Sequence, residues 1–176
     1  MPCRRPTGRR PRRSYASSHA GGRVAADERP VAQECVEGYL FVRAPFRLLV
    51  LQRPPDRGRN WVPVSGKVEP TDPDWESALH REVREETGFV QWREWLALDW
   101  HVIFDGPDGR RWRLHAYGIG LDTPRKPVLS AEHQAFEWVD AGEALRRLHY
   151  DDNRDAVRRL MARLAGDASG PAVPNV

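Results

Sequence analysis

The sequence predicts an α/β (α+β) domain, and three observations carry that prediction. Short runs of β-branched and aromatic residues fall before, between and after a few helical stretches, so strands and helices are not segregated into halves. A length of 176 residues suits one domain with a core of useful size. No run approaches the ~18 apolar residues of a membrane span, and no charged-then-apolar leader is visible, so no membrane is expected among the partners.

In chain order, residues 1–33 differ from the rest. Eight arginines there face only Asp27 and Glu28, an excess of six positive charges in a chain whose net charge is +3, so the remainder is negative. Gly, Pro and Ser punctuate the stretch and it has no apolar period, which predicts a disordered basic tail. A nucleic-acid-binding arm, a transit-peptide-like leader and a plain extension are the three readings of it, and the plain extension is preferred. The cysteines number only two, Cys3 and Cys35, which is no disulfide framework and makes a reducing cytoplasm the expected location.

The domain is expected to span 34–165. Residues 35–42 read as a strand, 43–45 as a turn and 46–51 as the neighbouring strand. Residues 53–60 form a loop rich in Pro, Gly and charge, and 61–64 a short strand. Residues 92–104 hold one or two strands, 105–109 a turn and 111–121 the returning strand of a hairpin. A last strand covers 136–139. Short helices follow at 141–148 and 155–164, the second with Val157, Leu160, Met161 and Leu164 on one side. Residues 166–176 are read as a frayed tail.

The most informative stretch is 72–89, read as one helix. Asp72 suits an N-cap, Pro73 the first helical position and Gly88 the left-handed residue that closes the helix. At about 100° per residue, Glu86 lies ~40° to one side of Glu82 and Glu85 ~60° to the other. Trp75, Ala78, Leu79 and Val83 overlap that arc, so three carboxylates sit beside the apolar face, where like charges at this spacing repel. A hard divalent cation with oxygen ligands would compensate them; a solvated charge run is the plainer reading. The preceding loop, with Ser65, Gly66 and Lys67, contains a glycine that permits close approach of backbone to an ion or phosphate.

These residues resemble the Nudix hydrolase signature, G-x5-E-x7-R-E-U-x-E-E-x-G-U. Arg81, Glu82, Val83, Glu85, Glu86, Gly88 and Phe89 match its second half, and Gly66 its first glycine. The middle departs: Asp72 stands at the position of the first Glu, and one extra residue separates it from the arginine. Asp72, Glu69 and Glu76 are the candidates for that role. The resemblance covers roughly residues 36–164 and implies the Nudix α/β/α sandwich with a mixed β-sheet. It implies Mg²⁺, with Mn²⁺ as an alternative, held by Glu82, Glu85 and Glu86 with a backbone carbonyl of Ser65 or Gly66. Arg81 is implied to orient a box carboxylate.

A second stretch, Glu132 and His133 followed by Phe136 and Trp138 and later by Asn153 and Arg154, is similar to the branch acting on dihydroneopterin triphosphate and dATP. Glu132 is then the first candidate for general base and Glu82 the second. Arg53 and Lys67 are candidates for phosphate contact and Trp61 for substrate contact, against plainer roles as surface charges and core. The activity implied is metal-dependent hydrolysis of a nucleoside or pterin triphosphate to a monophosphate and pyrophosphate. Another Nudix activity, on a diphosphate derivative or oxidised nucleotide, and a non-catalytic nucleotide-sensing module are the alternatives.

Overall fold

The computed structural model describes residues 29–168. Seven strands form one mixed sheet: β1 (Val31–Val42), β2 (Arg47–Gln52), β3 (Trp61–Val62), β4 (Val64–Lys67), β5 (Glu94–Asp105), β6 (Arg111–Gly120) and β7 (Ala135–Val139). The helices are α1 (Trp75–Thr87), α2 (Ala141–Arg147) and α3 (Asp151–Ala168). The sheet order is β3-β2-β1-β6-β5, with β4 paired to β1 and β7 to β2. Only β1 and β6 run parallel; the other pairs are antiparallel. The central strand β1 splits its second edge, pairing β4 through residues 35–38 and β2 through 41–42.

Alternation along β1 divides the interior in two, because successive side chains point to opposite faces. Val36, Leu40 and Val42 join Ala78, Leu79 and Val83 of α1. Tyr39 and Phe41 join Ala144 of α2 and Ala156, Val157 and Leu160 of α3. The result is the expected sandwich, with α1 on one face and α2 and α3 on the other. No helix among the described residues is long and apolar enough to cross a membrane.

Several boundaries move from their expected places. β1 begins at Val31, so residues 31–33 belong to the sheet and not to a tail; residues 1–28 lie outside the described part. These residues pair with β6 from Arg111 onward, a contact supplied by the far hairpin and invisible in the local pattern. Residues 94–105 form one long strand with a bulge, where the register steps between Ala97 and Trp100 and Asp99 has φ 47°. α3 starts at Asp151, earlier than the apolar period shows, because its first turn is polar. Asp151 and Asp152 suit a helix N-terminus, and the buried Asn153 donates to Glu37 Oε1 at 2.9 Å. α3 also runs to Ala168, into the stretch read as frayed.

The cap of α1 is the clearest correction. Asp74, not Asp72, is the N-cap, its side chain accepting from the Ser77 N–H at 2.7 Å. Gly88 closes the helix as expected, at φ 72° with its N–H on Arg84 O at 2.9 Å.

Candidate active site

α1 carries Glu82 and Glu86 one turn apart, and both side chains are withdrawn from solvent, with exposures of 7% and 3%. What receives them is β4. The Ser65 N–H donates to Glu86 Oε2 at 3.4 Å. A Cβ at Gly66 would lie 1.9 Å from Glu82 Cδ, so only glycine lets this carboxylate lie against the strand. Burial pushes the Glu82 carboxyl up to about 7 against the opposing pull of Arg81. Burial likewise pushes Glu86 well above the ordinary range, reinforced by the charges of Glu82 and Glu132. Burial makes both acids costly to ionise, and a cation beside them would favour their charged forms.

Arg81 holds Glu82 from one side. Its guanidinium donates to Asp72 Oδ1 at 3.2 Å and Oδ2 at 2.9 Å, to Glu82 Oε1 at 2.7 Å and to the Lys67 carbonyl at 2.9 Å. Glu85 joins at 3.3 Å, but its side chain is 55% exposed and lies at the rim. Asp72 thus does the work of holding the arginine, and neither Glu69 nor Glu76 does. It is placed by a tight turn: its N–H reaches Glu69 O at 3.0 Å and its Oδ2 accepts from the Glu69 N–H at 2.8 Å. Hydrogen bonding to Arg81 holds the Asp72 carboxyl below the usual carboxylate range.

Two loops approach from the other side. The 53–60 loop contains a 3₁₀ turn, Pro55–Arg57, pinned by Arg57 N–H on Pro54 O at 2.9 Å and by Arg53 N–H on Asn60 O at 3.0 Å. The loop at 130–134 is tied to β2 through Gln134 N–H on Gln52 O at 2.8 Å. Glu132 lies 3.5 Å from Arg57 as an ion pair. Its charge acts on Glu86, as does that of Arg53. His133 is buried beside these arginines, and burial followed by their charge lowers its imidazole to about 4, so it is neutral at pH 7.

The structure therefore brings together Glu82, Glu86, Ser65, Gly66, Arg81, Arg53 and Glu132, with Glu85 at the rim. It directs two candidates elsewhere. Lys67 places its Nζ 4.5 Å from the centre of the Trp112 ring. Trp61 packs with the α2 and α3 core on the opposite face of the sheet, under the Arg147 guanidinium at 5.3 Å. Phe136 and Trp138 pack against the α1 core. Arg57 and the burial of His133 escaped the sequence, because nothing in a Pro- and charge-rich loop distinguishes one arginine from its neighbours.

Among the described residues no three His, Cys, Asp or Glu side chains converge as a metal cage. The donors nonetheless fit a hard cation of the Mg²⁺ type, which takes one or two carboxylates and completes its shell with water and phosphate oxygens. The clearance over Gly66 and the Glu82 and Glu86 carboxylates, once ionised, are what such an ion would use.

A family model for the NUDIX domain matches residues 38–160. The chain belongs to this family. The asymmetrical bis(5′-nucleosyl)-tetraphosphatase of Caenorhabditis elegans is 29% identical over 122 residues, 69% of this chain and 86% of that protein. An octanoyltransferase of Myxococcus xanthus is 32% identical over 119 residues, 66% of this chain; the chain spans only 32% of that protein's length. The dihydroneopterin triphosphate pyrophosphohydrolase of E. coli superposes with a TM-score of 0.66 at 24% identity, over 76% of this chain and 99% of that one. At that identity the likeness speaks for the fold. Fold, box and family model agree that residues 38–160 form a NUDIX domain.

Proposed function

We propose that the protein hydrolyses a nucleoside or pterin triphosphate to a monophosphate and pyrophosphate with Mg²⁺, or Mn²⁺ in its place. The observation that carries this reading is the buried Glu82–Glu86 pair laid over Gly66, clasped by Arg81 and faced by Glu132. Glu82 and Glu86, with a backbone carbonyl of Ser65 or Gly66 and Glu85 at the rim, would hold the ion. When bound, the ion offsets the negative charge of phosphates and carboxylates and makes a water molecule more acidic.

The chain's own residues supply the rest. Asp72 and Arg81 keep Glu82 aimed across β4. Glu132 stands on a separate loop and is the first candidate to take the proton of the attacking water, with Glu82 the second. Arg53 supplies positive charge toward the phosphates.

The test is pyrophosphate release over a panel of nucleoside triphosphates and dihydroneopterin triphosphate, with and without Mg²⁺. Full turnover by Glu85→Gln and Glu86→Gln on the best substrate would overturn the metal-site assignment. A second reading, cleavage of a dinucleoside polyphosphate, is favoured by the tetraphosphatase relative, which aligns over 69% of the chain. It predicts two nucleotide products and no free pyrophosphate. Tight nucleotide binding with no hydrolysis at high Mg²⁺ would instead indicate a sensing module.

A further inference from the structure

The cationic side of the site contains more than hydrolysis at the carboxylates requires. Among the described residues the Arg53 guanidinium has no hydrogen bond or ion pair, although its charge reaches both Glu86 and His133. Arg57 has one ionic partner, Glu132, at 3.5 Å, too long for a good hydrogen bond, with the two side chains 28% and 27% exposed. His133 is 7% exposed and its Nδ1 has no hydrogen-bond partner among the described residues. Three donor or acceptor groups thus stand beside the platform with their capacity unspent. Their backbones are nevertheless fixed, Arg57 by the 3₁₀ turn and His133 by its N–H on Ser130 O at 3.2 Å.

We propose that Arg53, Arg57 and His133 form a phosphate subsite next to the carboxylate platform, and that Arg57 leaves Glu132 for a substrate phosphate when the chain of phosphates binds. A guanidinium matches two oxygens of a phosphate with paired N–H donors, which the loose contact with Glu132 does not provide. The exchange has a consequence for the reaction. Glu132 beside Arg57 has one carboxylate oxygen turned toward the cation, and Glu132 released from it can turn either oxygen to the attacking water. Binding of the phosphates therefore frees the candidate base, so that Glu132 is unmasked only when substrate is present. Arg57 touches substrate in this scheme, and His133, buried and neutral, positions the two arginines or accepts a hydrogen bond from one of them.

The subsite rests on the pyrophosphohydrolase reading of this site, yet its test does not depend on turnover. Inorganic pyrophosphate with Mg²⁺ is the probe, titrated calorimetrically into the full chain. Wild type is expected to bind it, Arg57→Gln to weaken binding by about tenfold or more, and Arg57→Lys to retain part of the loss. Glu132→Gln is expected to tighten binding, since it removes the competitor for Arg57. In turnover, Arg57→Gln should raise KM more than it lowers kcat. Thermal melting of each variant checks that it is folded. Pyrophosphate affinity in Arg57→Gln within twofold of wild type, weaker binding in Glu132→Gln, or no binding by wild type would each overturn the subsite. If wild type binds pyrophosphate through Arg57 yet releases none from any triphosphate, the proposed reaction fails and the subsite stands. If it turns over a triphosphate while Arg57→Gln keeps its affinity and KM, the reaction stands and the subsite fails.

Discussion

Two groups of arginines flank the same buried glutamates, and they are held in opposite ways. Arg81 is saturated: two carboxylates, a backbone carbonyl and a rim glutamate take its donors at 2.7–3.3 Å. Arg53 and Arg57 are not. One has no polar partner for its side chain among the described residues and the other a single loose one. The difference separates architecture from recognition. A cation whose donors are all used positions the carboxylates and has nothing left for a ligand, whereas a fixed loop with unused donors has everything to gain from an anion.

Substitutions on the two sides should therefore fail differently. The largest effect is expected at the platform they share: Glu86→Gln should lower pyrophosphate release on the order of 10²–10³-fold at saturating substrate and Mg²⁺. Retention of more than half the turnover would break the division at its centre.

The next effect concerns the cationic side and acid pH. The His133 imidazole is pushed down to about 4 in the folded chain, against an ordinary value of 6.5, with burial as the main cause. The unfolded chain therefore binds that proton first, and the contribution to stability is fully present above about pH 6.5 and lost as pH falls through 4. Its size is about 3 kcal/mol. Denaturant unfolding between pH 7 and 4 should show His133→Gln losing less stability than wild type, and parallel curves would remove His133 from the buried, neutral role.

Gly66→Ala is expected to come third. The new methyl displaces the Glu82 carboxylate, and a misplacement of this kind costs about 10²-fold in kcat. The readout is kcat together with Mg²⁺ affinity; unchanged values would mean that Glu82 can sit elsewhere. The smallest effect belongs to Asp72. Asp72→Ala leaves Arg81 short of two charged hydrogen bonds, which should cost about 1–3 kcal/mol of stability and lower kcat with little change in KM. Asp72→Glu, which restores the residue type of the signature, should keep most of both. A rise in KM in place of a fall in kcat would make Asp72 resemble the Arg57 side and blur the contrast.

The helix seen at Trp75–Thr87, its glycine end and the placement of its carboxylates beside the apolar face are legible from local pattern, though its start is not, and so is the presence of most strands. The residues that mislead do so for a shared reason. Asp72 and Asp74 are both good caps in composition, and only the turn back to Glu69 decides that Asp72 serves Arg81 while Asp74 serves Ser77. The stretch 65–67, expected as a loop, belongs to strand β4, and Trp61 on β3 and Lys67 on β4 deliver their side chains to other cores, since neighbouring strand residues face opposite ways. The first turn of α3 escaped because its buried residues, Asp152 and Asn153, are polar, and Asn153 is made tolerable by Glu37 and Tyr39 far away in the chain.

What the sequence by itself determined is the family's catalytic box and the α/β class, because both are written in short spacings: the helical period, the capping residues and a glycine beside an acid. What only the tertiary structure decided is how charge is distributed around that box. The Arg57–Glu132 contact, the burial of His133 and the choice of Asp72 as the partner of Arg81 each depend on which turns and loops the sheet brings together. Electrostatic partnership is a matter of distance and burial, and neither is encoded in the spacing of residues along the chain.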